Sequence, residues 1–161
     1  MKKFELTTES IETVSGEKLF RIKALVSFDA VEAGELGGYV EKEENLSHEG
    51  NAWVYDNARV HGNARVHGNA QVCGDADIYD NSQKSSVDGF GSENRTTTFF
   101  REKSGGVGVK CGCFYGTLDE FREKVRKTHG DSEIAQEYLA IADVEERRFK
   151  RVAKKGEETD D

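Results

Sequence analysis

Proline is absent from all 161 residues. That excludes a Pro-rich linker and any folding step limited by X–Pro isomerisation. Cysteine is scarce, with three residues at 73, 111 and 113. An odd count behind the opening Met1-Lys2-Lys3-Phe4-Glu5 argues against a secreted disulfide framework and for reduced thiols in a bacterial cytoplasm. The same opening meets charge before any apolar run develops, so it reads as neither a signal peptide nor a membrane span. Apolar residues are also in short supply, 35% against 34% charged, which predicts a narrow core or a polar tail. A net positive charge is lacking as well. At −8 the chain as a whole is not drawn to nucleic acid. Its carboxylates serve solubility, or suit a basic protein surface such as a nucleic-acid-binding groove. The length fits one domain or two small ones.

What is present is a repeat. From Asn51 to Ser82 the chain reads in sixes, with Ala at 52, 58, 64, 70 and 76 and a branched aliphatic at 54, 60, 66, 72 and 78. Asn or Asp opens every block, and five blocks keep register without an insertion. A period of six with an inward aliphatic and a small residue two places before it predicts one short strand and one corner per block. The corners fall at Gly or Asp followed by Asn or Asp, where positive φ is cheapest. Three such sides close a coil, so residues 18 apart should stack: Val54 on Val72, Val60 on Ile78, and Arg59 on Asp77 as a charge pair. The expected fold is mainly β with C-terminal helices. Its centre is a short left-handed hexapeptide-type β-solenoid over 51–82, too short to cover its own ends and therefore capped on both flanks.

The flanks supply the caps in this reading. Residues 1–50 form an N-terminal hairpin, with Leu19 to Val26 as its second strand, and a Gly-rich cap. Gly37-Gly38 reads as a tight corner; with no Lys-Ser/Thr after it, a phosphate loop is the poorer account. Residues 83–152 form a ββαα unit in which 83–92 is a linker, Thr96–Arg101 and Val107–Phe114 are strands, and Lys103–Gly106 is a turn. Thr117 and Glu120 make a capping box for a helix that Gly130 stops, and a second helix runs to about 150. Residues 153–161 read as a disordered charged tail.

Few residues carry a chemical signal. Cys111 and Cys113 are one residue apart, not the two to four of zinc knuckles, and alternation places both with Val107 and Val109, so small core residues are the better account than a metal site. His61 and His67 share a repeat column, but no nearby carboxylate in sequence orients either, and no catalytic set, metal site or cofactor is expected. The basic run from Arg147 to Lys155 reads as the positive end of a helix in preference to a phosphate contact. The column outside the inward aliphatics holds Trp53, Tyr55, Arg59, His61, Arg65 and His67. Trp, Tyr and Arg are the residue types that anchor interfaces, so these six are the expected partner-binding residues, with burial of Trp53 under a flank as the alternative.

The stretch Leu36-Gly37-Gly38-Tyr39-Val40, with Glu43 to Ser47 and Gly50-Asn51-Ala52-Trp53-Val54, is similar to a phage- and prophage-associated family with Gly-Asn-Ala-x-Val repeats. Thr97-Thr98-Phe99-Phe100 through Cys111-Gly112-Cys113-Phe114 and Thr128-His129-Gly130-Asp131 looks like a module of small phage proteins. Together the two cover about residues 19–150. The resemblance implies a β-solenoid and a mobile-element origin, and it brings no catalytic motif. The expected function is that of a non-enzymatic phage protein that occupies a surface of a host complex, with inhibition of a defence nuclease of the CRISPR type as one case. Alternatives are a relative of hexapeptide acyl or nucleotidyl transferases, using His61 or His67 at a trimer interface, and a sponge for a small signalling nucleotide. The expected partner is a host protein complex, nucleic-acid-binding ones included, with neither a membrane nor direct nucleic-acid contact and with homo-oligomerisation left open.

Overall fold

The computed structural model describes the backbone of residues 2–159 and the side chains of residues 2–155. The architecture is mixed α/β, with three sheets followed by two C-terminal helices. The first strands, β1 (Phe4–Glu12) and β2 (Lys18–Ala24), form an antiparallel hairpin whose register slips between Leu6 and Ser10. β1 is an edge strand. The slip and the exposed Glu5, Glu9 and Glu12 keep that edge from templating another chain.

The Gly-rich segment is a strand, β3 (Leu36–Val40), and not a corner. It pairs antiparallel with β2 and parallel with the repeat. A Cβ on Gly38 would lie 2.5 Å from the Ala58 carbonyl oxygen and 2.7 Å from a Val54 methyl. Gly37 and Gly38 are therefore present because the repeat backbone packs directly on β3. Neither has room to cradle a ligand.

The repeat supplies four two-residue strands: β4 (Trp53–Val54), β5 (Arg59–Val60), β6 (Gln71–Val72) and β7 (Asp77–Ile78). Residues 18 apart pair in parallel, β4 with β6 and β5 with β7. The expectation of a separate capped solenoid is nevertheless corrected. β5 and β7 belong to a five-stranded sheet, order β1-β2-β3-β5-β7, while β4 and β6 form a sheet of their own and Leu46–Val66 is a single bridge. Two-residue strands cannot stand alone, so the repeat merges with the hairpin it was expected to lean on. All five Ala and all five aliphatics of the repeat are buried, in one core with Phe4, Ile22, Val31, Val40, Leu46 and Phe100. Asp56, Gly62, Gly68 and Gly74 turn the corners at φ near +60°.

The C-terminal unit has four strands, not two. The expected linker contains β8 (Lys84–Phe90), and the expected strand 107–114 breaks at Gly112 into β10 (Val107–Cys111) and β11 (Phe114–Thr117). With β9 (Arg95–Arg101) they form an antiparallel sheet, order β11-β10-β9-β8. β9 joins the two halves of the protein. Phe100 points into the first core, and Phe99 points to a second core with Phe121, Val125 and Tyr138. Each Phe is fully buried, a contribution of about 1.5–3 kcal/mol to its side. Thr98, also buried, accepts the Gln71 amide at 3.0 Å and so closes the open edge of β6.

The second core is roofed by α1 (Leu118–His129) and α2 (Glu133–Thr159). Thr117 and Glu120 form the capping box, and Gly130 ends α1 at φ 58°. Residues 153–159, expected as a disordered tail, continue the α2 backbone, and residues 160–161 lie outside the described residues. No helix among the described residues is long and apolar enough to cross a membrane.

Candidate functional site

The outer face of the five-stranded sheet carries a row of polar and aromatic side chains. Val40, Val60 and Ile78 point inward in register, so strand alternation turns Arg21, Tyr39, Arg59 and Asp77 outward, each beside the next. At one end Arg21 acts as a clamp. Its Nε donates to Glu9 at 2.6 Å, Nη1 to the Gly37 carbonyl at 2.6 Å, and Nη2 to the Tyr39 hydroxyl at 2.6 Å and to Asn57 at 3.1 Å. Its guanidinium also lies 4.4 Å from the centroid of the Tyr39 ring, which explains why Tyr39 is nearly covered although it faces outward.

At the other end His61 Nε2 lies 2.8 Å from Asp77 Oδ1, and the His61 ring sits 5.7 Å from the exposed Tyr79. The hydrogen bond from His61 holds the Asp77 carboxyl below the usual carboxylate range. Arg101 lies over the other part of Tyr79, at 5.5 Å, and donates Nη1 to the Asp77 carbonyl at 2.8 Å. Between the two ends stands Arg59, whose guanidinium has no hydrogen bond or ion pair among the described residues. The expected Arg59–Asp77 charge pair is in register, and Arg59 adds through space to the lowering of the Asp77 carboxyl, while the direct hydrogen bond to that carboxyl comes from His61. Asp77 is the orienting acid that sequence spacing did not find.

The six expected partner-binding residues do not form one surface. Trp53 is completely buried, edge-on to Phe4 and Phe28 at 6.4 and 5.3 Å, and so belongs to the core. Its indole Nε1 has no hydrogen-bond partner among the described residues. The flank covers it because β4 lies behind β3 and the 28–31 bridge. Tyr55 lines a groove of about 490 Å³ with Lys110, whose Nζ is 5.3 Å from its ring. Burial pushes the Tyr55 hydroxyl up to about 12. Arg65 and His67 lie on the third side of the repeat, beside Ser47 and Glu49. Burial first, then Lys84 and Arg65, lowers the His67 pKa. Arg59 and His61 share one face, and Arg65 and His67 share another.

Several polar residues escaped the sequence reading. His48 stacks on Phe4 at 4.2 Å, accepts the Lys3 amide at Nδ1 and donates Nε2 to Glu43 at 2.8 Å, an arrangement that holds the N-terminus onto the sheet. Lys3 is buried and donates to the Ala52 carbonyl at 2.6 Å. The expected burial of both C-terminal thiols is also corrected. Cys113 is exposed and Cys111 only half-buried, because the strand ends at Gly112 and Cys113 falls in the turn. Both line a cleft of about 220 Å³ between that turn and the helices. Among the described residues no group of three or more His, Cys, Asp or Glu is placed to hold a metal ion.

No protein-family model matches the chain, and no curated protein sequence matches it.

Proposed function

We propose that this protein is a non-enzymatic binding protein of phage or prophage origin that occupies a surface of a host protein complex through the outer face of its five-stranded sheet. The observation that carries the reading is Arg59. Its backbone is fixed in register between Tyr39 and Asp77, on the face that carries His61 and the exposed Tyr79, and its guanidinium has no hydrogen bond or close ion pair among the described residues. An Arg carried on a fixed strand beside aromatic groups is the composition of an interface anchor, and the rigidity of that strand lowers the entropic cost of binding. The net charge of −8 steers the protein towards positively charged partners, among them complexes that handle nucleic acid, such as defence nucleases of the CRISPR type. The phage resemblance of the repeat and of the Cys-Gly-Cys-Phe module supports the same origin.

Affinity capture from a bacterial host lysate tests the reading when three baits run in parallel: wild type, Arg59→Glu, and Tyr79→Ala. A stoichiometric partner retained by wild type, lost with Arg59→Glu and weakened with Tyr79→Ala supports it. A partner held equally by all three sinks it, as does the absence of any stoichiometric partner.

The 2.8 Å contact of His61 with Asp77 favours a second reading, in which an oriented imidazole takes a proton from an acceptor in group transfer. Turnover of an acyl or nucleotidyl donor that disappears with both His61→Ala and Asp77→Asn would replace the first reading by this one.

A further inference from the structure

The cleft at the Cys111–Cys113 turn is separate from the sheet face and independent of the reading above. Its inner wall is aromatic. Phe121 meets Tyr138 edge-on at 5.6 Å and Phe114 at 5.9 Å, and the His129 ring lies 6.1 Å from Tyr138. Phe121, Val125 and Tyr138 are nearly fully buried, so this wall is fixed by the second core. The Tyr138 hydroxyl is tied to the Phe90 carbonyl at 3.2 Å and sits against Gly91, where any Cβ would collide with it. Burial pushes that hydroxyl up to about 12, so it stays a neutral donor at physiological pH.

The rim of the cleft is cationic. Lys124 lines it with no hydrogen bond or ion pair among the described residues, and His129 has no side-chain hydrogen bond among them. On the opposite side the Arg95 guanidinium lies over Gly112, so close that a Cβ there would clash with it, and is paired with Glu93. Among the described residues Glu93 is the one carboxylate lining the cleft. An aromatic wall alone would suit a cation, but two cationic side chains and an imidazole at the mouth disfavour one. They favour a flat ring that carries a negative group. The volume, about 220 Å³, lies below the roughly 300–1,000 Å³ of larger ligand sites and suits one ring system with its substituent. A second, polar cleft of about 320 Å³ adjoins it across Glu93 and Arg95 and leaves room for a hydrophilic extension.

We infer that this cleft is a binding site for a small planar aromatic anion, with the ring against Phe114, Phe121 and Tyr138 and the carboxylate or phosphate on Lys124 and His129. Both thiols line the same space, so a bound ring shields them from solvent reagents.

The test uses the full chain and two ligand pairs, indole-3-carboxylate with indole and adenosine monophosphate with adenosine, measured by titration calorimetry. Alkylation of Cys113 is followed at saturating ligand. At least one anion should bind about tenfold or more tightly than its neutral partner and slow the alkylation, and Lys124→Glu with His129→Gln should abolish the preference. The pair that responds identifies whether the anion is of the carboxylate or the nucleotide kind. The inference is overturned if neither anion binds at millimolar concentration, if neutral and anionic partners bind alike, or if the double variant keeps the preference. The lysate capture with Arg59 variants reads a different surface, so the two proposals fail separately.

Discussion

Replacing Arg21 by Ala tests how the N-terminal half is held together. The side chain is only 16% exposed and ties three segments: β1 through Glu9, β3 through Gly37 and Tyr39, and the first repeat corner through Asn57. Glu9 is largely exposed and regains water when the partner is lost, so that ion pair contributes little. The Gly37 carbonyl and the Tyr39 hydroxyl are the costly groups, since each loses a charged donor in a place water reaches poorly. Two such bonds at about 1–2 kcal/mol each give about 2–4 kcal/mol, or about 5–15 °C in melting temperature for a chain of this size. Arg21→Lys should recover less than half, because an ammonium cannot span Glu9, Gly37 and Tyr39 from one plane. Urea unfolding followed by the fluorescence of Trp53, the single Trp and a core residue beside Phe4 and Phe28, reads the affected half directly. Far-UV dichroism reads the helices in the same samples. A loss below about 0.5 kcal/mol for Arg21→Ala, or a Lys variant as stable as wild type, refutes the clamp.

Three further outcomes follow from the same geometry. Gly38→Ala should cost about 2–4 kcal/mol in urea unfolding, because its Cβ meets the Ala58 carbonyl and a Val54 methyl, and neither can move without breaking the β3–β5 pairing; a loss of under 1 kcal/mol would show that the packing relaxes. Burial lowers the Lys3 pKa from 10.5 to about 8, so between those values the unfolded chain binds more protons than the folded one, and this group adds stability as pH rises. Wild type should therefore gain about 1–2 kcal/mol on Lys3→Met between pH 7 and 9.5, and a constant gap contradicts the burial argument. Asp77 has a depressed carboxyl pKa, so its contribution is present above the unfolded value near 3.8 and is lost as pH falls through the folded one. Asp77→Asn should cost about 1–2 kcal/mol at pH 7, with the gap to wild type closing below about pH 4; an undiminished gap at acid pH rules out the His61–Asp77 bond as its source.

Local signals were legible wherever a short motif decides its own conformation. Thr117 with Glu120, Gly130, and the corner residues Asp56, Gly62, Gly68 and Gly74 do what their chemistry dictates, whatever surrounds them. The eighteen-residue pairing was also legible, because inward aliphatics at a fixed period leave one way to align. Residues 84–90 were not recognisable as a strand, since Lys84, Asp88 and Gly89 spoil the alternation and their pairing with β9 comes from the partner strand. Trp53 was misplaced because alternation tells which side of its own strand a residue occupies, not whether another segment lies on that side. The oriented pair of His61 with Asp77 was invisible for a related reason: the two are 16 residues apart and meet only when neighbouring strands stack.

The sequence by itself determined the repeat, its inward column, its corners and the bounds of the first helix, all of them consequences of side-chain volume and backbone preference within a few residues. The tertiary structure alone decided which sheet each two-residue strand joined, which outward side chains stayed in water, where His61 met Asp77, and where Cys111 and Cys113 came to line one cleft with His129. Those outcomes depend on long-range packing, in which a strand too short to hold itself takes its place from whatever edge is available, and no local pattern records that choice.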